Sequence, residues 1–179
     1  MCRTPCRFEH VRSKQGCGRL YCWNIIMRMR WLAKLLLWGL TPPEREPDFV
    51  IGDRYLLRWF LIPRNNYLNV YLHHFLHSDD DRALHDHPYW SISLCLWGSS
   101  IEHLAAGRSR TIRQGSIVLR SAAASHRIEL RDGTDCWTLF VTGPRIREWG
   151  FYCPRGWRHW RDYTKPSSSG QVGRGCGEL

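Results

Sequence analysis

From about Val50 the chain is written in short apolar or alternating runs separated by turn residues. The runs Tyr55–Ile62, Leu68–His77, Trp90–Trp97, Ser100–Ala105, Ser116–Leu119, Ser125–Leu130 and Trp137–Thr142 have the length and side-chain character of strands. Pro63–Asn66, Asp79–Asp81, Gly98-Ser99, Ala106–Arg108, Asp132-Gly133 and Gly143-Pro144 break them. Many short strands with no helical pattern between them predict an all-β domain over residues 50–163, a small antiparallel β-barrel or jelly roll. Upstream the period changes. Ile25, Met29, Leu32 and Leu36 recur at helical spacing, with Arg28, Arg30 and Lys34 spread around the other side, so Asn24–Trp38 reads as an amphipathic helix ended by Gly39 and Pro42-Pro43. Its apolar stretch Leu35–Leu40 is too short to span a bilayer. Such a helix caps the domain or lies on a membrane surface. Residues 1–22 show no period and read as a loose extension, while the Ser/Gly-rich tail 165–179 reads as disordered.

Composition fits one globular domain with extensions: 179 residues, 43% hydrophobic and 23% charged. The ten Trp supply large apolar bodies suited to a barrel interior or a binding wall. A net charge of +10 favours anionic partners in general. No recognition helix or aromatic RNA motif accompanies it, so a solvated basic surface is favoured over nucleic-acid binding. Of eight Cys, four (Cys2, Cys6, Cys17, Cys22) crowd the first 22 residues, where their spacing suits a zinc knuckle poorly. Cys95, Cys136 and Cys153 lie among apolar or aromatic neighbours and read as packed thiols, and Cys176 sits in the tail. With no secretory signal recognisable, reduced cysteines and a cytoplasmic location are expected.

Six of the nine His fall between His73 and His103. In His85-Asp86-His87 the two imidazoles share one face of an extended segment, so both reach one point. A third imidazole from a neighbouring strand completes a facial ligand set with positions left open. His73 and His77 share a face opposite His74, and one of these faces lines the barrel. Tyr71, Trp90, Arg113 and Arg120 are further pocket candidates, with Arg120 the first choice for an anion contact. Arg145–Tyr163 interleaves Arg with aromatics, which suits either a cover over the barrel end or base stacking; the cover is favoured.

These residues resemble the cupins. Their first motif pairs two histidines one residue apart, followed by a glutamate and a closing glycine; His85, His87 and Gly98 stand at those positions. Their second runs from a glycine through a Pro-x-Gly turn to a histidine, and Gly115, Ser121-Ala122-Ala123 and His126 keep that spacing with small residues in the turn. Asp79 stands where the first glycine belongs and Ser91 where the glutamate belongs. The match covers about Asp79 to Leu130. The arrangement, with Thr-Gly-Pro-Arg before Trp-Gly-Phe, also resembles cupin-like proteins encoded by phages and prophages. The resemblance implies a divalent metal on His85, His87 and His126, with Fe(II) favoured and Zn, Ni or Mn acceptable to the same imidazoles. The missing glutamate leaves two outcomes. One is a three-histidine site similar to those of thiol dioxygenases; in the other Glu102 replaces the carboxylate. The implied activity is a mononuclear metal oxygenase or dioxygenase on a small polar or anionic substrate, with hydrolase or isomerase chemistry less favoured. The alternative is a binding module for a sugar, nucleotide or protein, with a structural metal or none. Cupins often dimerise through a sheet edge, which makes a homodimer one expectation.

Overall fold

The computed structural model describes residues 39, 45–79, 83–131, 134–165, 167 and 172–177. The helix expected at Asn24–Trp38 and the extension 1–22, with its four cysteines, lie outside them. Eleven strands follow one another: β1 Phe49–Ile51, β2 Leu56–Phe60, β3 Asn69–Phe75, β4 Leu84–His85, β5 Ser91–Leu104, β6 Ser109–Arg113, β7 Ile117–Arg120, β8 His126–Leu130, β9 Cys136–Thr142, β10 Gly150–Cys153 and β11 Gly156–His159. A helical turn, Trp160–Tyr163, follows. Every pairing is antiparallel. The all-β antiparallel barrel expected from the strand pattern is the fold. Among the described residues no helix is long and apolar enough to cross a membrane.

Strand β5 joins the two sheets of the barrel. Its first half pairs with β9 and β7, continuing to β3, β2 and β1; its second half pairs with β6 and β8, continuing to β4, β10 and β11. The sequence suggested two strands broken at Gly98-Ser99. One 14-residue strand runs through instead, with a register shift between Cys95 and Trp97 that bends it from one sheet into the other. Gly98 sits at φ +77°, and a Cβ there would meet the Asp135 carbonyl oxygen at 2.0 Å. The glycine therefore marks the corner and does not end the strand.

The interior is filled by the inward residues of both halves. Cys95, Ile112, Val118, Ile128, Leu130 and Cys136 form a buried cluster with Phe75 against it. Cys95 and Cys136 are packed free thiols, their sulfurs 3.8 Å apart. The outward face of the β2–β3–β9 sheet is also apolar: Trp59 stacks on Trp137 at 5.5 Å, and His74 stacks on Trp137 at 3.9 Å.

The C-terminal region departs from expectation. Within Arg145–Tyr163, β10 pairs with β4 and β11 with β10, which lengthens one sheet. Phe151 stacks on Tyr163 with ring centroids 3.6 Å apart, in a cluster with Ala83, Trp149 and Trp160. The expected packed thiol Cys153 is instead in a disulfide with Cys176. The tail, read as disordered, is tied back where it is described, since the Gly175 amide donates to the Tyr163 carbonyl at 2.9 Å. Gly175 and Gly177, both at positive φ, make the tight turn that allows this. Gly98→Ala is expected to destabilise the protein by about 2 kcal/mol or more, through the clash and the positive φ together. Urea unfolding of the variant beside wild type measures it.

Candidate metal centre

His85 ends β4, His87 follows in extended backbone, and His126 opens β8 directly opposite His85. One ring nitrogen from each lies within 4.8 Å of the other two. The Nε2 atoms of His87 and His126 are 2.8 Å apart. Adjacent nitrogen ligands about 2.0–2.1 Å from one divalent ion sit about 3 Å apart, so this pair already has the spacing of two ligands. All three imidazoles line one cavity of about 820 Å³ inside the barrel.

Alternation along the strand does a second job here. With His85 and His87 turned to the cavity, Asp86 points the opposite way and is fully buried. Its carboxylate accepts from Arg147 Nη1 at 2.6 Å, the Gly150 amide at 2.8 Å, Trp157 Nε1 at 3.2 Å and Tyr152 Oη at 3.3 Å. The Asp86 amide donates in turn to the Gly150 carbonyl at 3.0 Å, and that of His87 to Ala122 at 3.2 Å. Asp86 thus clamps the residue pair to β10 and β11. Sequence spacing marked it only as the residue between two ligands, and its burial was the missing signal.

Glu102, the expected substitute ligand, lies behind the histidines. It is fully buried, accepts from Arg120 Nε and Arg110 Nε at 2.5 Å each, and its Oε1 is 2.8 Å from His126 Nδ1. Both oxygens are committed, and neither joins the imidazole group. The carboxylate sets the orientation of the His126 ring and leaves Nε2 facing His87, the carboxylate–histidine arrangement common behind metal ligands. Burial works to raise the Glu102 pKa, but His126 and Arg120 overcome it and hold the carboxyl well below its usual range.

The remaining candidates divide. Arg120 lines the cavity, with Nε already given to Glu102. His73 lines it too, buried, accepting from Arg58 Nε at 2.8 Å and stacked on Phe140 at 4.8 Å. Tyr71, Trp90 and Arg113 are not in the cavity wall. Tyr71 is buried beneath the Arg58 guanidinium at 4.8 Å. Trp90 lies across Gly143, whose missing side chain makes room for the indole, and Arg113 is exposed at the end of β6. His74 faces outward, its Nε2 2.7 Å from Asp135 Oδ2, and the exposed His77 lies at the cavity rim. Arg58, Arg64 and Tyr89, which the sequence did not single out, also form the wall, as do Arg145 and Asp79, which it had not offered as pocket residues. Asp79, standing in the motif's glycine position, is buried and accepts from the Ile128 amide at 2.6 Å, which ties the start of the histidine loop to β8.

Burial lowers the pKa of His87 well below the ordinary value, with His126 and His85 adding to the effect, and takes His126 down to about 3. Burial likewise keeps His73 neutral. Neutral imidazole is the form that ligates metal.

No protein-family model matches the chain, and no curated protein matches it in sequence. In structure it is similar to a protein with a double-stranded β-helix domain from Klebsiella pneumoniae (18% identity, TM-score 0.45, covering 63% of this chain and 89% of the other). It is also similar to a cupin-like protein from Thermotoga maritima (13% identity, TM-score 0.46, covering 59% and 88%). A third is a putative mannose-6-phosphate isomerase from Ralstonia eutropha (18% identity, TM-score 0.46, covering 54% and 92%).

Histidines with lowered pKa bind fewer protons folded than unfolded, so the metal-free protein loses stability as pH falls below about 6.5, and continues to lose it toward the His126 value of about 3. Urea midpoints measured between pH 7.5 and 4.5 should fall steadily. A flat profile would mean the imidazoles are not buried neutral.

Proposed function

We propose that the chain is a metal-dependent enzyme of cupin type, with His85, His87 and His126 holding one divalent ion at the wall of the barrel cavity. The observation that carries this is the convergence of three imidazoles on one point, one of them backed by a buried carboxylate. Three imidazoles suit Fe, Zn, Ni and Mn alike, and Fe(II) is chosen by the cupin resemblance. An ion with three protein ligands keeps positions for exogenous groups, and supplies either a Lewis acid or, with iron, a centre for oxygen chemistry.

The protein's own share is holding and enclosing. Glu102 fixes the His126 ring, and Asp86 fixes the backbone that carries His85 and His87. Phe140, Phe151 and Trp149 give the cavity apolar wall, which excludes water around a bound small molecule. Among the described residues no carboxylate joins the clustered imidazoles, which favours the three-histidine oxygenase reading over the glutamate-containing one. Substrate is a small polar molecule, and the compartment is proposed to be one where the Cys153–Cys176 pair persists.

Elemental analysis of protein purified without oxygen tests the site. Wild type is expected to hold close to one equivalent of metal, and His87→Ala/His126→Ala to lose it. Iron directs assays toward oxygen consumption, and zinc or nickel toward hydrolysis or isomerisation. Equal metal content in both proteins would refute the ligand assignment. Metal-free wild type would leave a binding module as the function. In Glu102→Gln, metal affinity should fall about 10–100-fold while His87 and His126 remain.

A further inference from the structure

The cavity carries positive charge that its own carboxylates do not neutralise. Arg58, on β2, points inward at the level of His73, and its Nε donates to His73 Nε2 at 2.8 Å. That partner is a neutral ring, so the hydrogen bond orients the guanidinium without neutralising it. Arg64, in the β2–β3 connection, lies over Phe60 at 5.6 Å. Among the described residues no carboxylate pairs with Arg58 or Arg64. Arg145 reaches the same wall but is held by Glu148 at 2.6 Å, and Arg120 by Glu102.

Arg58 and Arg64 are joined through two neighbouring rings: Arg58 lies over Tyr71 at 4.8 Å, and the Tyr71 and Phe60 rings are 5.5 Å apart. The half-buried Tyr89 side chain lines the same cavity. Its ring also stacks parallel to His87, centroids 5.7 Å apart. The acids of the wall do not answer the arginines: Asp79 is engaged by Ile128 and Tyr55 beside His85, and Asp53 is exposed.

We infer that Arg58 and Arg64 form an anion subsite that binds a carboxylate or phosphate group of the substrate and turns the rest of the molecule toward His85, His87 and His126. Two guanidinium groups in a half-enclosed cavity, with no carboxylate partner among the described residues, bind one oxyanion with charge-assisted hydrogen bonds. The Arg58–His73 bond holds one of them ready, which lowers the ordering cost of binding. The substrate class follows: a small carboxylate or phosphoester. This deepens the enzyme reading above and rests on it for the reacting end only.

Calorimetric titration of inorganic phosphate, and separately of malonate, into the full-length protein tests the subsite. Wild type should bind at least one of the two; tighter phosphate points to a phosphorylated substrate and tighter malonate to a carboxylate. Arg64→Ala and Arg58→Gln should each weaken that binding about tenfold or more. Arg113→Ala, which removes an exposed charge outside the cavity, should leave it unchanged. Arg64→Ala is the decisive variant if Arg58→Gln fails to fold, since Arg64 is exposed. Equal affinity in wild type and Arg64→Ala, or equal weakening by Arg113→Ala, would overturn the proposal and leave only the general attraction of a basic surface. Metal content measured on the same samples separates the two readings: anion binding lost with metal retained locates the fault in Arg58 and Arg64, and the reverse locates it in the histidines.

Discussion

A carboxylate with no solvent contact holds the barrel in register. Glu102 is the centre of β5's second half, and its partners come from three other strands: Arg110 on β6, Arg120 on β7 and His126 on β8. An isolated charge buried in this way would be strongly destabilising, so the folded state requires all three partners together. The pairings of β5 with β6 and with β8 set Glu102 against Arg110 and Ile128 respectively, and a slip by one residue would turn the carboxylate to the outer face. The same registration delivers His126 to its place opposite His85. Stability and site geometry are consequently linked through one side chain, and neither can be altered there alone.

How far this was readable from the sequence depended on whether a residue's role follows from chain-local pattern. The strands β2, β3, β7, β8 and β9 announce themselves by alternating or apolar runs, and the pair His85/His87 by strand geometry. Strands β1 and β4 are too short to show a period, and β10 and β11 are written in Gly, Cys, Arg and Trp, so pairing with neighbours creates them. Gly98 looked like a turn because a glycine at positive φ serves a turn and a sheet corner equally. Glu102 looked like a ligand because it follows the corner; nothing local to it announces two arginines arriving from β6 and β7. The outward Ile117 and Leu119 on β7 show the same limit, since alternation reveals that faces differ and not which one faces the interior.

The excess of positive charge also changes meaning once it is placed. Arg110, Arg120 and Arg147 neutralise the buried carboxylates of Glu102 and Asp86, so part of the basic composition is internal structure and not partner-seeking surface. Arg127, with His103, meets Glu129 on the outer face, where solvent and salt reduce such contacts to little. What remains inside the cavity is a smaller and more specific charge than the composition suggests, concentrated on β2 and the connection after it.

The C-terminal segment follows the same logic. Its aromatics and arginines read as a cover over the barrel end, and the Asp86 carboxylate takes bonds from Arg147, Gly150, Tyr152 and Trp157 while its neighbours on either side supply the imidazoles. Because side chains alternate across a strand, a displacement of β10 moves Asp86, and a displacement of Asp86 rotates both ring positions. A lid that opened by peeling β10 from β4 would therefore disassemble the centre it was meant to expose. The segment acts as the outer half of the scaffold for His85 and His87, and access to the cavity has to run past the rim residues His77, Arg64 and Arg145 instead.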